Sequence, residues 1–216
     1  MGNLIFVVAV VFISLIPRLV MSSDDSWLIV PGKKVGPITP KTSEADLIQV
    51  YGKANVQSKD IEVGEGFTEP GTVIYPEDLT KTASIIWRDQ KSKRFPNTIT
   101  ISGEKKSAWK TVQGITIGTT LKELERSNGK PFFLLGPGQD YSGTVISWEK
   151  GKLEKEFEQN GRVILRLQPT LTQATEKEYQ SLIYEESHPG KEGLRSDHKI
   201  MQKIDPWVYE IVVQFK

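Results

Sequence analysis

The sequence predicts an α+β fold made of two tandem units, each a short helix followed by an antiparallel meander of about four strands. Three observations predict it. The stretch Gly36–Lys53 is echoed by Gly114–Lys130, with Thr42/Thr119, Ser43/Thr120, Asp46/Glu123, Leu47/Leu124, Gly52/Gly129 and Lys53/Lys130 aligning without gaps. The tetrapeptide Gly-Thr-Val-Ile recurs identically at 71–74 and 143–146. After each helix come short segments of alternating apolar and polar residues, broken by Gly, Pro and Asn turn signals.

The first helix is expected to open at Thr42 or Ser43, whose hydroxyls can accept the free N–H groups of the first turn, and to bury Leu47, Val50 and Tyr51. Gly52 closes it. Strands are expected at 60–63, 71–75, 83–88 and 98–102. Ala83, Ile85 and Trp87 share one face of the third, and Ile99 and Ile101 share one face of the fourth. In the second half, Thr120 and Glu123 form a capping box, Leu121 and Leu124 face inward, and Gly129 stops the helix. Strands are then expected at 132–135, 143–148, 152–157 and 162–168. Turns fall at Lys150-Gly151 and Asn160-Gly161, and Val163, Leu165 and Leu167 lie on one face of the last strand. The tail adds a helix opened by Thr175 with Glu178, burying Tyr179, Leu182 and Ile183, and a short helix ended by Asp205-Pro206. The chain ends on a strand, Trp207–Phe215, too apolar to be left unpaired.

Ahead of the first unit, Leu4–Ile16 is almost wholly apolar, but its 13 residues fall short of the roughly 20 that a membrane helix needs. The pattern predicts a secretory signal peptide over residues 1–22, although no Lys or Arg precedes the apolar run. The first unit then spans 23–112 and the second 113–216. The expected location is periplasmic or secreted, with no membrane span after cleavage. There is no cysteine, which excludes disulfides, thiolate metal sites and a thiol nucleophile. Of 28 basic residues, Arg18 falls in the signal segment; the remaining 27 balance 27 acids. That neutrality argues against a nucleic-acid partner.

No motif carries chemistry. The glycine-rich stretch 134–143 lacks the Gly-Lys-Ser/Thr ending of a phosphate loop and is expected to be a wide turn. His188 and His198 are the only histidines, and their spacing to nearby acids matches no metal motif; Asp60, Glu62 and Glu65 lack the order of a calcium loop. No Gly-x-Ser-x-Gly elbow occurs. No cofactor is expected. Of five tryptophans, Trp87 and Trp207 share faces with aliphatic residues and are expected in the core. Trp109, in a polar stretch, together with Tyr141 and Trp148, forms the set of candidate partner contacts.

The Gly-Ile opening at 114–115, Thr119, Leu124 and the Gly129-Lys130 close, followed by strands, resemble the small outer-membrane-assembly lipoproteins of the SmpA/OmlA type and the tandem-repeat β-lactamase inhibitory proteins. The resemblance covers Gly36–Lys53 and Gly114–Lys130; the chain lacks both the lipid-bearing cysteine and the cysteine pair within a unit. It implies tandem units that present a curved sheet surface to a protein partner. The expected function is therefore an exported, non-catalytic binding module of the cell envelope whose partner is an envelope or secreted protein. The alternative is an extracytoplasmic hydrolase using carboxylates or the His188/His198 region.

Overall fold

The computed structural model describes residues 25–104, 106–158, 161–186 and 193–215. The expected signal segment and His188 lie outside the described residues. In chain order the elements are β1 (Leu28–Val30), β2 (Lys34–Val35), α1 (Glu44–Tyr51), β3 (Val56–Gly64), β4 (Phe67–Ile74), β5 (Ala83–Asp89), β6 (Arg94–Ser102), β7 (Lys110–Thr111), α2 (Leu121–Asn128), β8 (Phe133–Leu134), β9 (Val145–Ser147), α3 (Lys152–Glu158), β10 (Gly161–Gln168), α4 (Gln173–Glu186), β11 (Leu194–Arg195), α5 (Lys199–Ile204) and β12 (Trp207–Phe215). The protein is α+β.

Six strands form one antiparallel sheet in the order β10-β12-β6-β5-β4-β3. The apolar C-terminal strand is thus an interior strand, with both edges paired. Ile211 and Val213 lie opposite Ile101 and Ile99, all four buried on the inner face. Ile85, Trp87, Leu165 and Leu167 extend that face, as the alternation predicts. Two small sheets flank it, β2-β1-β7 and β11-β8-β9. A single bridge, Thr144 to Arg166, links the β9 end to β10, and the Leu167 N–H donates to the Gly143 carbonyl at 3.0 Å.

Both capping boxes form. The Ser43 hydroxyl accepts from the Asp46 N–H and the Asp46 carboxylate from the Ser43 N–H; Thr120 and Glu123 do the same. One turn earlier, the Thr42 hydroxyl accepts from the Thr39 N–H and the Thr119 hydroxyl from the Thr116 N–H, both at 2.9 Å. Each helix start also clasps the start of a late strand. The Glu44 N–H donates to the Lys93 carbonyl and the Phe95 N–H to that of Thr42. Likewise the Leu121 N–H donates to the Pro206 carbonyl and the Val208 N–H to that of Thr119. Two β-bulges match as well. Ile86 faces Thr98 and Trp87 faces Pro96, leaving Asn97 extra; Arg166 faces Glu210 and Leu167 faces Val208, leaving Tyr209 extra.

Three expectations are corrected. Residues 152–157, expected as a strand, form helix α3: Leu153 and Phe157 are both buried at i, i+4, whereas period-two alternation would place Lys155 beside them. The segment expected as the first strand of a hairpin with β10 is therefore helical, and Asn160 of the expected turn lies outside the described residues. Helix α4 begins at Gln173, capped by Thr172, whose hydroxyl accepts the Thr175 N–H, so Thr175 sits inside the first turn. Val50 and Ile183, expected inward, are exposed; Leu47 and Leu182 fill the core positions on those helices.

Candidate binding face

The inner sheet face is core, so the outer face is what the large sheet offers to solvent. Strand alternation puts Ser84 and Ile86 of β5, Thr98 and Thr100 of β6, and Glu210 and Val212 of β12 on it. Ile164 and Arg166 of β10 continue it. These residues floor a cleft of about 910 Å³, walled on one side by β3 and β4 and on the other by Tyr141. Asp60 and Glu62 also border it, but their alternation relative to Lys59 and Ile61 assigns their side chains to the opposite face.

One ion pair stands on this floor. Arg166 Nη1 lies 2.5 Å from Glu210 Oε1, with side-chain exposures of 24% and 15%. Burial pushes the Glu210 carboxyl above its ordinary value, and the charge and hydrogen bond of Arg166 only partly reverse that. Burial also raises the Tyr209 hydroxyl, helped by the negative charge of Glu210. The Arg166 Nε is buried without a hydrogen-bond partner. The guanidinium carbon lies 4.8 Å from the centre of the Tyr141 ring, a cation–π contact.

Tyr141 belongs to the β8–β9 connection, which is the wide turn expected for 134–143. Gly138, Tyr141 and Gly143 all have positive φ there. Gly143 is required sterically, because a Cβ would lie 1.9 Å from the Leu167 carbonyl oxygen. Tyr141 is half exposed at the cleft, so this expected contact residue is on the surface.

Trp109 and Trp148 are corrected. Trp109 is fully buried: Trp27 packs edge-on against it at 4.8 Å and its Nε1 donates to the Lys81 carbonyl. Trp148 is buried between Phe132 and Phe157. Neither offers surface to a partner. Trp87 and Trp207 are core, as read from the sequence.

His198 caps α5, its Nδ1 accepting from the Ile200 N–H, and the neighbouring Asp197 takes both ends of the Arg195 fork at 2.7 and 2.8 Å. Among the described residues, no three His, Asp or Glu side chains cluster closely enough to hold a metal ion. A second cavity of about 770 Å³ runs between the 113–119 loop and α2, bordered by Glu123 and Arg126, which pair at 3.9 Å.

Sequence reasoning missed Arg166 and Glu210. Their signal was present: Glu210 is the one charge of β12, and Arg166 shares its outward parity with Arg162 in β10. Compared with protein-family models, with curated proteins and with solved structures, the chain matches none.

Proposed function

We propose that the chain is an exported, non-catalytic binding protein of the cell envelope that receives a partner protein on the outer face of its large sheet. We propose further that it is a tandem duplication. The six-stranded sheet reads β3-β4-β5-β6 from one edge and β10-β12 from the other, and the single Thr144–Arg166 bridge brings β8 and β9 of the neighbouring small sheet next to β10. The first Gly-Thr-Val-Ile copy then lies in β4 and the second leads into β9, the second strand of each unit, while the helix clasps fall on the fourth strand and the bulges between the third and fourth. Helices α3, α4 and α5 are insertions in the second copy.

The observation that carries the binding reading is the composition of the shared floor. Hydroxyl and aliphatic side chains from both halves, Thr98, Thr100, Ile86 and Ile164, surround one self-neutralised ion pair, with Val212 buried among them. Such a surface offers contact area and hydrogen bonds, as protein interfaces do. Hydrolysis needs an acid or base free to exchange a proton with substrate. Glu210, the floor carboxyl with a raised pKa, is committed to Arg166. Export rests on the apolar segment Leu4–Ile16 and fits a chain that needs no reduced thiol.

The test is capture from envelope extract with immobilised chain. Wild type is expected to retain one stoichiometric protein. Thr100→Arg, which plants a long cation mid-floor, is expected to lose it, and Lys177→Glu on α4 to keep it. Retention by Thr100→Arg would move the site elsewhere. A hydrolytic activity abolished by Glu210→Gln would replace binding with catalysis.

A further inference from the structure

The β4–β5 ladder ends at Gly71, opposite Ile86. The neighbouring β4 residue is Pro70, which has no N–H to donate, so pairing with β5 stops there. Strands β3 and β4 stay paired with each other out to Gly64 and Phe67. Residues 60–70 therefore leave the sheet as a two-stranded arm, a ribbon that is marginal by itself. Its turn runs through Gly64, Glu65 and Gly66, with φ of 111°, 54° and 76°.

The arm lies across the binding face. Its residues, the floor strands and Tyr141 line one and the same cleft. From β4 to β10 there are four interstrand steps, roughly 19 Å, and the five residues from Asp60 to Gly64 reach roughly 16 Å when extended. The arm is thus about as long as the floor is wide. It ends against Tyr141: a Cβ on Gly64 would sit 2.6 Å from the tyrosine hydroxyl oxygen, so the glycine lies directly against the tip of the ring. Tyr141 is itself held on Arg166, which is held by Glu210. At the root, Ile61 covers Gly71, where a Cβ would meet Ile61 Cγ1 at 2.5 Å. Beside the root, Gln90 Nε2 donates to Glu69 at 3.1 Å across the gap left by the missing ladder. Few contacts hold the arm, so it belongs to the low-stability end of the molecule and can open without global unfolding.

We propose that the arm is a latch: in the free protein it rests on Tyr141 and screens the floor, and a protein partner takes the floor only after the arm has lifted. This inference rests on the binding reading of that face, but its test needs no partner. Because the chain has no cysteine, Thr100→Cys puts a single thiol under the arm. The probes are iodoacetamide, which is small, and a polyethylene-glycol maleimide, which is bulky. The bulky reagent is expected to label Thr100→Cys about tenfold faster once Tyr141→Ala is added, with the small reagent changed far less, since freeing the arm raises the open population. Lys177→Cys, on open surface, is expected to label equally in both backgrounds. Tyr141→Phe keeps the ring on Arg166 and removes only the hydroxyl, so an intermediate rate with it separates unlatching from disruption of the loop. Hydrogen exchange in β6 and β12 is expected to stay unchanged in both variants. A bulky-reagent rate indifferent to Tyr141→Ala would overturn the latch and leave the capture experiment untouched. A rise accompanied by faster exchange in β6 and β12 would likewise overturn it, because the loop would then be supporting the sheet.

Discussion

The matched bulges make a quantitative exchange possible. Ile86 and Thr98 occupy, between β5 and β6, the register that Arg166 and Glu210 occupy between β10 and β12. Replacing the ion pair by its counterparts therefore tests the energetics of the face and the equivalence of the halves together. Glu210→Thr alone strands a guanidinium that is three-quarters buried and whose Nε already lacks a partner. Breaking a fully buried pair from one side costs about 3–5 kcal/mol; partial exposure here reduces that to about 2 kcal/mol. The double variant Arg166→Ile with Glu210→Thr removes both charges together, and such replacements come out near neutral, so it is expected within about 1 kcal/mol of wild type. For a chain of this size each kcal/mol moves Tm by about 2–4 °C, so the single variant is expected to melt about 4–8 °C lower and the double to recover most of that. Arg166→Ile alone adds a pH signature. It removes the influence that pulls the Glu210 carboxyl back down and leaves burial, which raises it. The folded state then holds its proton more tightly than the unfolded one, so stability falls as pH rises through the folded value. Urea unfolding followed by tryptophan fluorescence reads all three variants. A double variant that loses the sum of the two single losses would refute both the coupling and the equivalence of the two positions.

Three further outcomes follow from the packing. Gly143→Ala forces a Cβ to 1.9 Å from the Leu167 carbonyl at φ 83°; a loss of about 2–4 kcal/mol in urea unfolding is expected, and a loss under about 0.5 kcal/mol would mean that the β9–β10 junction relaxes freely. Asn128 is buried, donates to the Lys130 and Trp148 carbonyls and accepts from the Leu153 N–H, so Asn128→Ala strands three backbone groups; about 2–4 kcal/mol is expected to be lost, with α3 the first element to gain hydrogen exchange. Burial raises the Glu44 carboxyl, but hydrogen bonds from Lys93, Thr72 and Ser58 outweigh it and hold the group below its ordinary value of 4.5. Its contribution is therefore complete above pH 4.5 and lost as pH falls through the lower folded value, so Glu44→Gln is expected to destabilise at neutral pH and to flatten the acid limb; an unchanged acid limb would count against the assignment.

What was legible in the sequence is what local chemistry decides. The capping boxes at Ser43 and Thr120 need only residues three apart, and both form. The strand faces of Ile85/Trp87 and Leu165/Leu167 follow from alternation alone. Residues 152–158 failed because Leu153 and Phe157 satisfy a period of two and a helical i, i+4 spacing equally; burial of Lys155 with them would have been required for the strand. Trp109 failed for a different reason. Its sequence neighbours are polar, yet its environment is set by Trp27 and the Lys81 carbonyl, both remote in the chain. The candidate face was hidden in the same way. Arg166 and Glu210 are 44 residues apart, and only the β10–β12 register makes them a pair.

The pairing of β6 with β12 explains why the face sits where it does. Helix α1 clasps the start of β6 and α2 the start of β12, and those two strands pair antiparallel in the interior of the sheet. Helices α3, α4 and α5 all precede β12 and so leave the β6–β12 ladder uninterrupted. The Ile211–Ile101 and Val213–Ile99 pairs bury the seam from the inner side, and on the outer side the same register sets Glu210 beside Ser102 and Val212 beside Thr100. Neither half could keep this arrangement alone. Without β12, the edge of β6 would expose a nine-residue strand with unpaired N–H and C=O groups and two uncovered isoleucines, a template for aggregation. The two halves of the chain therefore share one sheet and one seam rather than forming two independent modules, and the floor around that seam draws on strands from both.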